Sequence, residues 1–239
     1  MELKNPGAVI ENSIRMKLMN DFFTNFGHAE VLLDLGCGAR PYYECYASHF
    51  DRTIGADLAD SPFPKKQIDI YCFATNVPLP DESVDVILCT EVLQDIAEPN
   101  DLIKEVMRLL KPNGILVLTV PFLVPIADGI YDHNRFTIHG LKYQLTKGGF
   151  AVQELIPVSD TFGVAITLSV KPILKLWNII SKALHIKLIY KWFNPLLFIT
   201  VILPQIIYLA TKQLPLFKQL YNRFNYGPIG YVSISKKLK

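Results

Sequence analysis

The sequence predicts an α/β domain built on a mostly parallel sheet covered on both faces, and three observations carry that expectation. Short apolar runs bounded by turn residues alternate with helical patterns from residue 31 to residue 158, as strands buried on both faces require. The first of those runs, VLLDLG, ends on the turn Gly36-Cys37-Gly38, and the first strand-to-helix turn of such a sheet is where the backbone approaches a ligand. The second run ends on Asp57, 21 residues after Gly36, where a carboxylate can receive the hydroxyls of a ribose.

The first expected element is a helix over 8–26, in which Val9, Ile10, Ile14, Leu18, Phe22 and Phe26 recur at helical spacing. Strands follow at 31–36 (VLLDLG), 53–58 (TIGADL), 67–73 (QIDIYCF), 84–90 (VDVILCT), 115–120 (ILVLTV) and 150–158 (FAVQELIPV). Between the fourth and fifth, DLIKEVMRLLKPNG reads as a helix with an aspartate at its start and a Lys-Pro-Asn-Gly stop. The late stretch YGPIGYVSISKK reads as one more strand, alternating at Ile229, Tyr231 and Ser233. Its distance from 150–158 makes residues 161–225 an insertion, with 1–160 and 226–239 forming one domain. A chain of 239 residues has room for one such domain and an appendage, not for two enzyme domains.

Charge marks the same boundary. Residues 1–160 carry 13 Lys/Arg and 22 Asp/Glu, whereas residues 161–225 carry 8 Lys/Arg and no acid. A near-neutral total thus hides an acidic domain and a basic insertion. Nucleic acid is not expected as a partner, because the basic charge lies among aliphatic residues and residues 1–160 are acidic. Cys37, Cys45, Cys72 and Cys89 lack metal-type spacing, so reduced thiols in the cytoplasm and no metal site are expected. The stretch MELKNPGAVIENSIR has no apolar core of the kind that directs export.

A dinucleotide loop would ask for G-x-G-x-x-G, but its sixth position is Pro41. That disfavours a nicotinamide-dependent oxidoreductase. Taken together, DLGCGARPY, IGADL, LPDESVDVILCTEVL and RLLKPNGILVLTVPF resemble class I S-adenosylmethionine-dependent methyltransferases of the small-molecule branch, over about residues 30–157 and again over 226–238. The resemblance implies a Rossmann-like, seven-stranded, mostly parallel sheet whose last strand inserts antiparallel beside the sixth. It implies S-adenosylmethionine as cofactor, with Asp34, Gly36, Cys37 and Gly38 around the methionine moiety, and Asp57 and Leu58 on the ribose and adenine. Phe73 and Ala74 would meet the adenine, and Thr90 and Glu91 the sulfonium side. Three positions depart from the family: Phe73 stands where many members carry an acid, Asp95 where a histidine is frequent, and Arg40 at the third glycine of the longer family loop.

Methyl transfer from a sulfonium is an in-line displacement that depends on alignment, and a base is needed only where the acceptor must lose a proton. Asp95 is the first candidate for an acceptor-facing carboxylate, and it also reads as a solvated loop residue. His133 is the second, suited to act as base with Asp132 orienting it, while Arg135 is suited to grip an anionic acceptor.

In the insertion, Lys171, Lys175, Asn178, Lys182 and His185 fall on one helical side and Ile173, Leu176, Trp177, Ile180 and Leu184 mostly elsewhere. This reads as a basic amphipathic helix with Pro172 in its first turn, of the kind that lies in a membrane interface. The run WFNPLLFITVILPQIIYLA at 192–210 is marginal for a span and is broken by Pro204. A monotopic or re-entrant dock at the cytosolic face is expected, and a helical lid or a dimer interface is the alternative. The expected activity is methyl transfer to a small-molecule or lipid-linked acceptor, such as an envelope glycan or isoprenoid intermediate. The alternative is a noncatalytic S-adenosylmethionine-binding subunit that uses the insertion as a partner interface.

Overall fold

The computed structural model describes residues 9–61, 67–126, 131–183, 198–223 and 227–238. Helix α1 spans Val9–Phe26, and strands β1 (Ala29–Leu35), β2 (Phe50–Asp57), β3 (Ile70–Tyr71), β4 (Val84–Thr90), β5 (Leu110–Pro121), β6 (Phe150–Val158) and β7 (Gly230–Lys237) follow. Between them lie α2 (Tyr43–Tyr46), α3 (Pro99–Leu109), α4 (Ile138–Lys147), α5 (Thr161–Ala183), α6 (Leu203–Thr211) and α7 (Pro215–Arg223).

The strands form one sheet in the order β3-β2-β1-β4-β5-β7-β6. β1 pairs in parallel with β2 on one side and β4 on the other, and β4 pairs in parallel with β5. β7 pairs antiparallel with β5, Val117 lying opposite Ile234. This is the Rossmann-like sheet expected from sequence, with its last strand antiparallel. The strand order reverses at β1 and β4, so a crevice opens beyond their carboxyl ends.

Alternating residues feed each face. Leu33, Leu35, Ile54, Ala56, Ile87, Cys89, Leu116 and Leu118 pack with Leu102, Val106 and Leu109 of α3 and Leu141 and Leu145 of α4. On the aromatic side, the Phe23 ring of α1 lies 5.7 Å from Tyr46 and 6.1 Å from Phe50. The buried apolar residues of α1 are Val9, Ile10, Met19 and Phe23, whereas the expected Ile14, Leu18, Phe22 and Phe26 are half-buried.

Three elements differ from the sequence expectation for local reasons. The strand read at 67–73 shrinks to Ile70–Tyr71, because the Asp69 carboxylate accepts from the Gly55 N–H at 2.7 Å and occupies the position a ladder bond would take. The Lys-Pro-Asn-Gly stretch does not stop a helix before a later strand. β5 starts at Leu110, directly after α3, and those residues form a bulge within it: Val84 pairs with Leu110 and Val86 with Ile115. Asn113 turns the bulge at φ +67°. Pro172 lies inside α5 rather than in its first turn. That helix starts eleven residues earlier, at Thr161, where Asp160 Oδ1 caps it by accepting from the Phe162 and Gly163 N–H groups at 3.0 and 3.2 Å.

The chain divides into two compact units. The larger comprises Met16–Phe122, Ile126–Ile156 and Gly230–Lys239, and holds the sheet through most of its length. The other comprises Met1–Arg15, Leu123–Pro125 and Pro157–Ile229, and so takes in more than residues 161–225. Within it, Ile10, Val164, Tyr208 and Ile229 form one apolar cluster and Val9, Val170, Val201 and Ile202 another. Gln205 is buried there, donating to the Val201 carbonyl at 2.8 Å and accepting from the Ile10 N–H at 3.4 Å. The first six residues of the apolar run at 192–210, including Trp192, lie outside the described residues. From Phe198 the run makes a π-turn to Ile202, and α6 then begins with Pro204 in its first turn. Among the described residues no helix is long and apolar enough to cross a membrane.

Because Phe23 is fully buried between Tyr46 and Phe50, Phe23→Ala is expected to destabilise the fold by about 3–5 kcal/mol, measured as a fall in the urea midpoint at unchanged slope.

Candidate cofactor and acceptor site

The turn after β1 exists because two glycines reach backbone angles that side chains resist. Gly36 holds φ +70° and Gly38 φ +52°, and a Cβ on Gly36 would meet Val92 Cγ2 at 2.2 Å. The Gly36 and Cys37 N–H groups both donate to the Ala56 carbonyl, at 2.8 and 3.0 Å, which binds the turn to the end of β2. Asp57 completes the join: its Oδ2 accepts from the Gly38 N–H at 2.7 Å and from Ser61 at 3.3 Å, and its Oδ1 from the Leu58 N–H at 2.7 Å. A carboxylate offers about four acceptor positions, so Oδ1 retains capacity for a ligand hydroxyl. One oxygen, rather than two, is available for a ribose.

Beyond β3 the backbone keeps Phe73 close to that carboxylate, since the Cys72 N–H donates to the Asp57 carbonyl at 3.0 Å. Phe73 is 70% exposed, an open aromatic face beside half-buried Ala74. A spare carboxylate acceptor, a glycine turn half-buried at Gly36 and an exposed ring fit an adenosyl group with its ribose and flat base.

Asp34, which the resemblance sets near the methionine moiety, has a buried side chain. It is 2% exposed and sealed under Tyr46, whose hydroxyl donates to Oδ2 at 2.7 Å. Burial pushes its pKa up to about 7, opposed by the Tyr46 hydrogen bond and the Arg40 charge. Cys37 is buried, its N–H on the Ala56 carbonyl and its carbonyl accepting from the Arg40 N–H at 2.8 Å; burial, followed by the Asp34 and Asp57 charges, pushes the thiol up to about 12.

At the end of β4, Thr90 leads into Glu91, a non-glycine residue at φ +56°. Thr119 of β5 holds it there: the Glu91 N–H donates to both the carbonyl and the hydroxyl oxygen of Thr119, and that hydroxyl donates to Glu91 Oε1 at 2.9 Å. One turn on, Gln94 Nε2 donates to Asp95 Oδ2 at 3.2 Å. Burial, followed by the charges of Asp132 and Glu91, pushes Asp95 up to about 6, against the Gln94 bond and Arg135. The loop after β5 docks on this turn through its backbone, the His133 and Asn134 N–H groups both donating to the Gln94 carbonyl at 2.9 Å.

That loop carries residues expected to face the acceptor. Asp132 directs its carboxylate to Arg135, which grips both oxygens, Nη2 lying 2.6 Å from Oδ2. His133 itself is exposed. Arg135 is thus paired with Asp132, with Glu91 and Asp95 also favouring its charge. The structure thus gathers Glu91, Asp95, Asp132 and Arg135. Sequence reasoning missed Thr119, Gln94, Tyr46 and the use of Arg40. A threonine within the apolar run ILVLTV was the one local signal for the first of these.

A parallel sheet with a glycine turn tied to a strand-end carboxylate defines a nucleotide-cofactor domain of the Rossmann-like class. Residues 33–118 match the family model described as a methyltransferase domain. A thiol S-methyltransferase of Rattus norvegicus is 30% identical over 98 residues, covering 36% of this chain and 40% of that protein. A ubiquinone biosynthesis O-methyltransferase of Idiomarina loihiensis is 32% identical over 95 residues, covering 35% of this chain and 39% of that protein. The chain thus spans well under two thirds of these relatives' length. In fold, it resembles an S-adenosylmethionine-dependent methyltransferase from Archaeoglobus fulgidus, with TM-score 0.56 and 15% identity over 96% of this chain and 98% of that one. Residues 33–118 thus resemble a methyltransferase domain, within a Rossmann-like fold that the chain shares with S-adenosylmethionine-dependent methyltransferases.

Between the ordinary carboxyl pKa of 3.8 and about 7, folded Asp34 keeps a proton that the unfolded chain has released. Its contribution to stability is full at the acid end of that window and is lost as pH rises through it. Asp34→Asn is expected to flatten the fall in the urea midpoint between pH 5 and pH 8, leaving only the part due to Asp95.

Proposed function

We propose that this chain methylates a hydroxyl or thiol of a small-molecule or lipid-linked acceptor at the cytosolic face of a membrane, an envelope glycan or isoprenoid intermediate being the acceptor class that suits the insertion. The match of residues 33–118 to the methyltransferase domain model carries the methyl-transfer part. The thiol and ubiquinone enzymes among the relatives support a small acceptor.

S-adenosylmethionine, when bound, supplies an activated methyl group on a sulfonium for in-line transfer. Gly36, the Cys37 backbone and Gly38 hold its methionine end, Asp57 Oδ1 and Leu58 its ribose, and Phe73 and Ala74 its base. Thr90 and Glu91 line the side where the acceptor enters. Asp95 is ionised above about pH 6, which suits it to take the proton from an acceptor hydroxyl or thiol at neutral pH. Arg135, engaged by Asp132, steadies the loop that carries His133 at the rim.

The membrane part rests on charge and exposure within residues 161–225, which belong to a dock appended to the cofactor domain of 1–160 and 226–239. Eight cations and no acid in this stretch favour anionic headgroups. Leu176, Ile179, Ile206, Ile207 and Leu216 are exposed apolar side chains beside exposed Lys175 and Lys218.

Asp57→Ala is expected to weaken S-adenosylmethionine binding about tenfold through lost charge-assisted bonds, and an unchanged calorimetric affinity removes the ribose assignment. S-adenosylhomocysteine should form when the native protein, but not heat-treated protein, is incubated with a membrane extract; no product identifies a binding subunit instead. Asp95→Asn should slow that reaction by about a hundredfold or more and abolish its rise through about pH 6. The intact chain should float with anionic liposomes and stay behind with neutral ones. Equal recovery in the soluble fraction assigns the insertion to a lid or a protein interface.

A further inference from the structure

Arg40 breaks two rules of stable design at once. It holds φ +48°, an angle that glycine adopts freely and a side-chain residue adopts only under strain. Its guanidinium is buried at 7% exposure, and Nη2 has no hydrogen-bond partner among the described residues, which is unfavourable for a buried donor. A glycine here would remove both penalties.

The side chain nevertheless joins four pieces of the larger unit. Nε donates to the Tyr46 hydroxyl of α2 at 3.0 Å, and that hydroxyl donates to Asp34 of β1 at 2.7 Å. Nη1 donates to Asp69 Oδ2 at 3.3 Å and lies 3.4 Å from the Gln67 carbonyl, both in the segment entering β3. Asp69 Oδ2 in turn accepts from the Gly55 N–H of β2. The Tyr43 ring lies 5.0 Å from the guanidinium carbon, near enough for a cation–π attraction. These bonds matter because the local scaffold is slight: after β1 the chain makes only the four residues of α2 and a single turn over Ala47–His49. A long crossover helix is not there to stiffen the turn.

We propose that Arg40, acting with Tyr46, is the positioning residue of the cofactor turn, holding Gly36–Gly38 and Asp57 in their binding geometry before the cofactor arrives. It does so through the turn and does not touch the cofactor. A turn fixed in advance binds more tightly because less order is lost on binding. The inference rests on the S-adenosylmethionine reading of the site above.

Titration calorimetry of the full chain with S-adenosylhomocysteine, paired with thermal midpoints, tests it. Arg40→Gly is expected to bind at least tenfold more weakly while its midpoint stays level or rises, because strain and the unpartnered donor are gone. Arg40→Lys, with one ammonium for two sites, should recover only part of the affinity. Tyr46→Phe, which removes the hydroxyl that joins Arg40 Nε to Asp34, should lose several-fold. A residue that merely fills space gives the opposite pairing, a lower midpoint with affinity unchanged in the folded fraction, and that result overturns the proposal. If Arg40→Gly does not fold, wild-type affinity in Tyr46→Phe overturns it alone. Failure of the wild-type chain to bind S-adenosylhomocysteine overturns the cofactor reading as well, whereas wild-type binding with unaffected variants overturns only the role of Arg40.

Discussion

The hydrogen bond from the Gly38 N–H to Asp57 Oδ2 joins the ends of two strands that parallel pairing has already aligned. It requires a glycine turn on one strand and a carboxylate at the end of the next, in register. Asp34 lies opposite Gly55 and Leu35 opposite Ala56, so a slip of one residue would carry Asp57 to the other face of the sheet. The register is set by the buried apolar residues of β1, β2 and β4. The hydrophobic core therefore fixes the chemistry at the rim, although it contains none of the reacting groups.

The two sides of the crevice are stiffened by different means. On the cofactor side, a guanidinium and a phenol replace the missing length of helix. On the acceptor side, Thr119 grips Glu91 by backbone and side chain, and the Gln94 carbonyl receives two successive N–H groups of the loop after β5. Both sides include a non-glycine residue in the left-handed region, Arg40 and Glu91. Such strain persists only where surrounding bonds over-determine it, and here it flanks the crevice.

Strand identities were legible because apolar runs between turns leave few alternatives: β4 and β6 match the expected 84–90 and 150–158 residue for residue. The position of β7 was legible from the resemblance and from the gap before it. Periodicity failed where a side chain replaced a ladder bond, at Asp69, and where a bulge was absorbed into a strand, at Lys111–Gly114. In the candidate site, Gly36, Gly38 and Asp57 could be read locally because a turn and a strand end are local features. The Asp34–Tyr46 and Glu91–Thr119 pairs could not, since they join residues 12 and 28 positions apart. The Asp132–Arg135 pair lies within one loop, but nothing in the sequence gave it preference over Asp132–His133.

The antiparallel entry of β7 between β5 and β6 has a consequence for how the protein is made. Val117 pairs with Ile234, so β5 emerges from the ribosome 117 residues ahead of its neighbour. β6 lies beyond β7 in the sheet and must wait as well. Throughout translation of the basic apolar stretch between them, the nascent chain holds one sheet edge open and one strand unplaced. Open edges of this kind invite mispairing, and contacts so distant in sequence form slowly. Whatever receives the insertion as it emerges, lipid or protein, also determines how long that edge stays exposed.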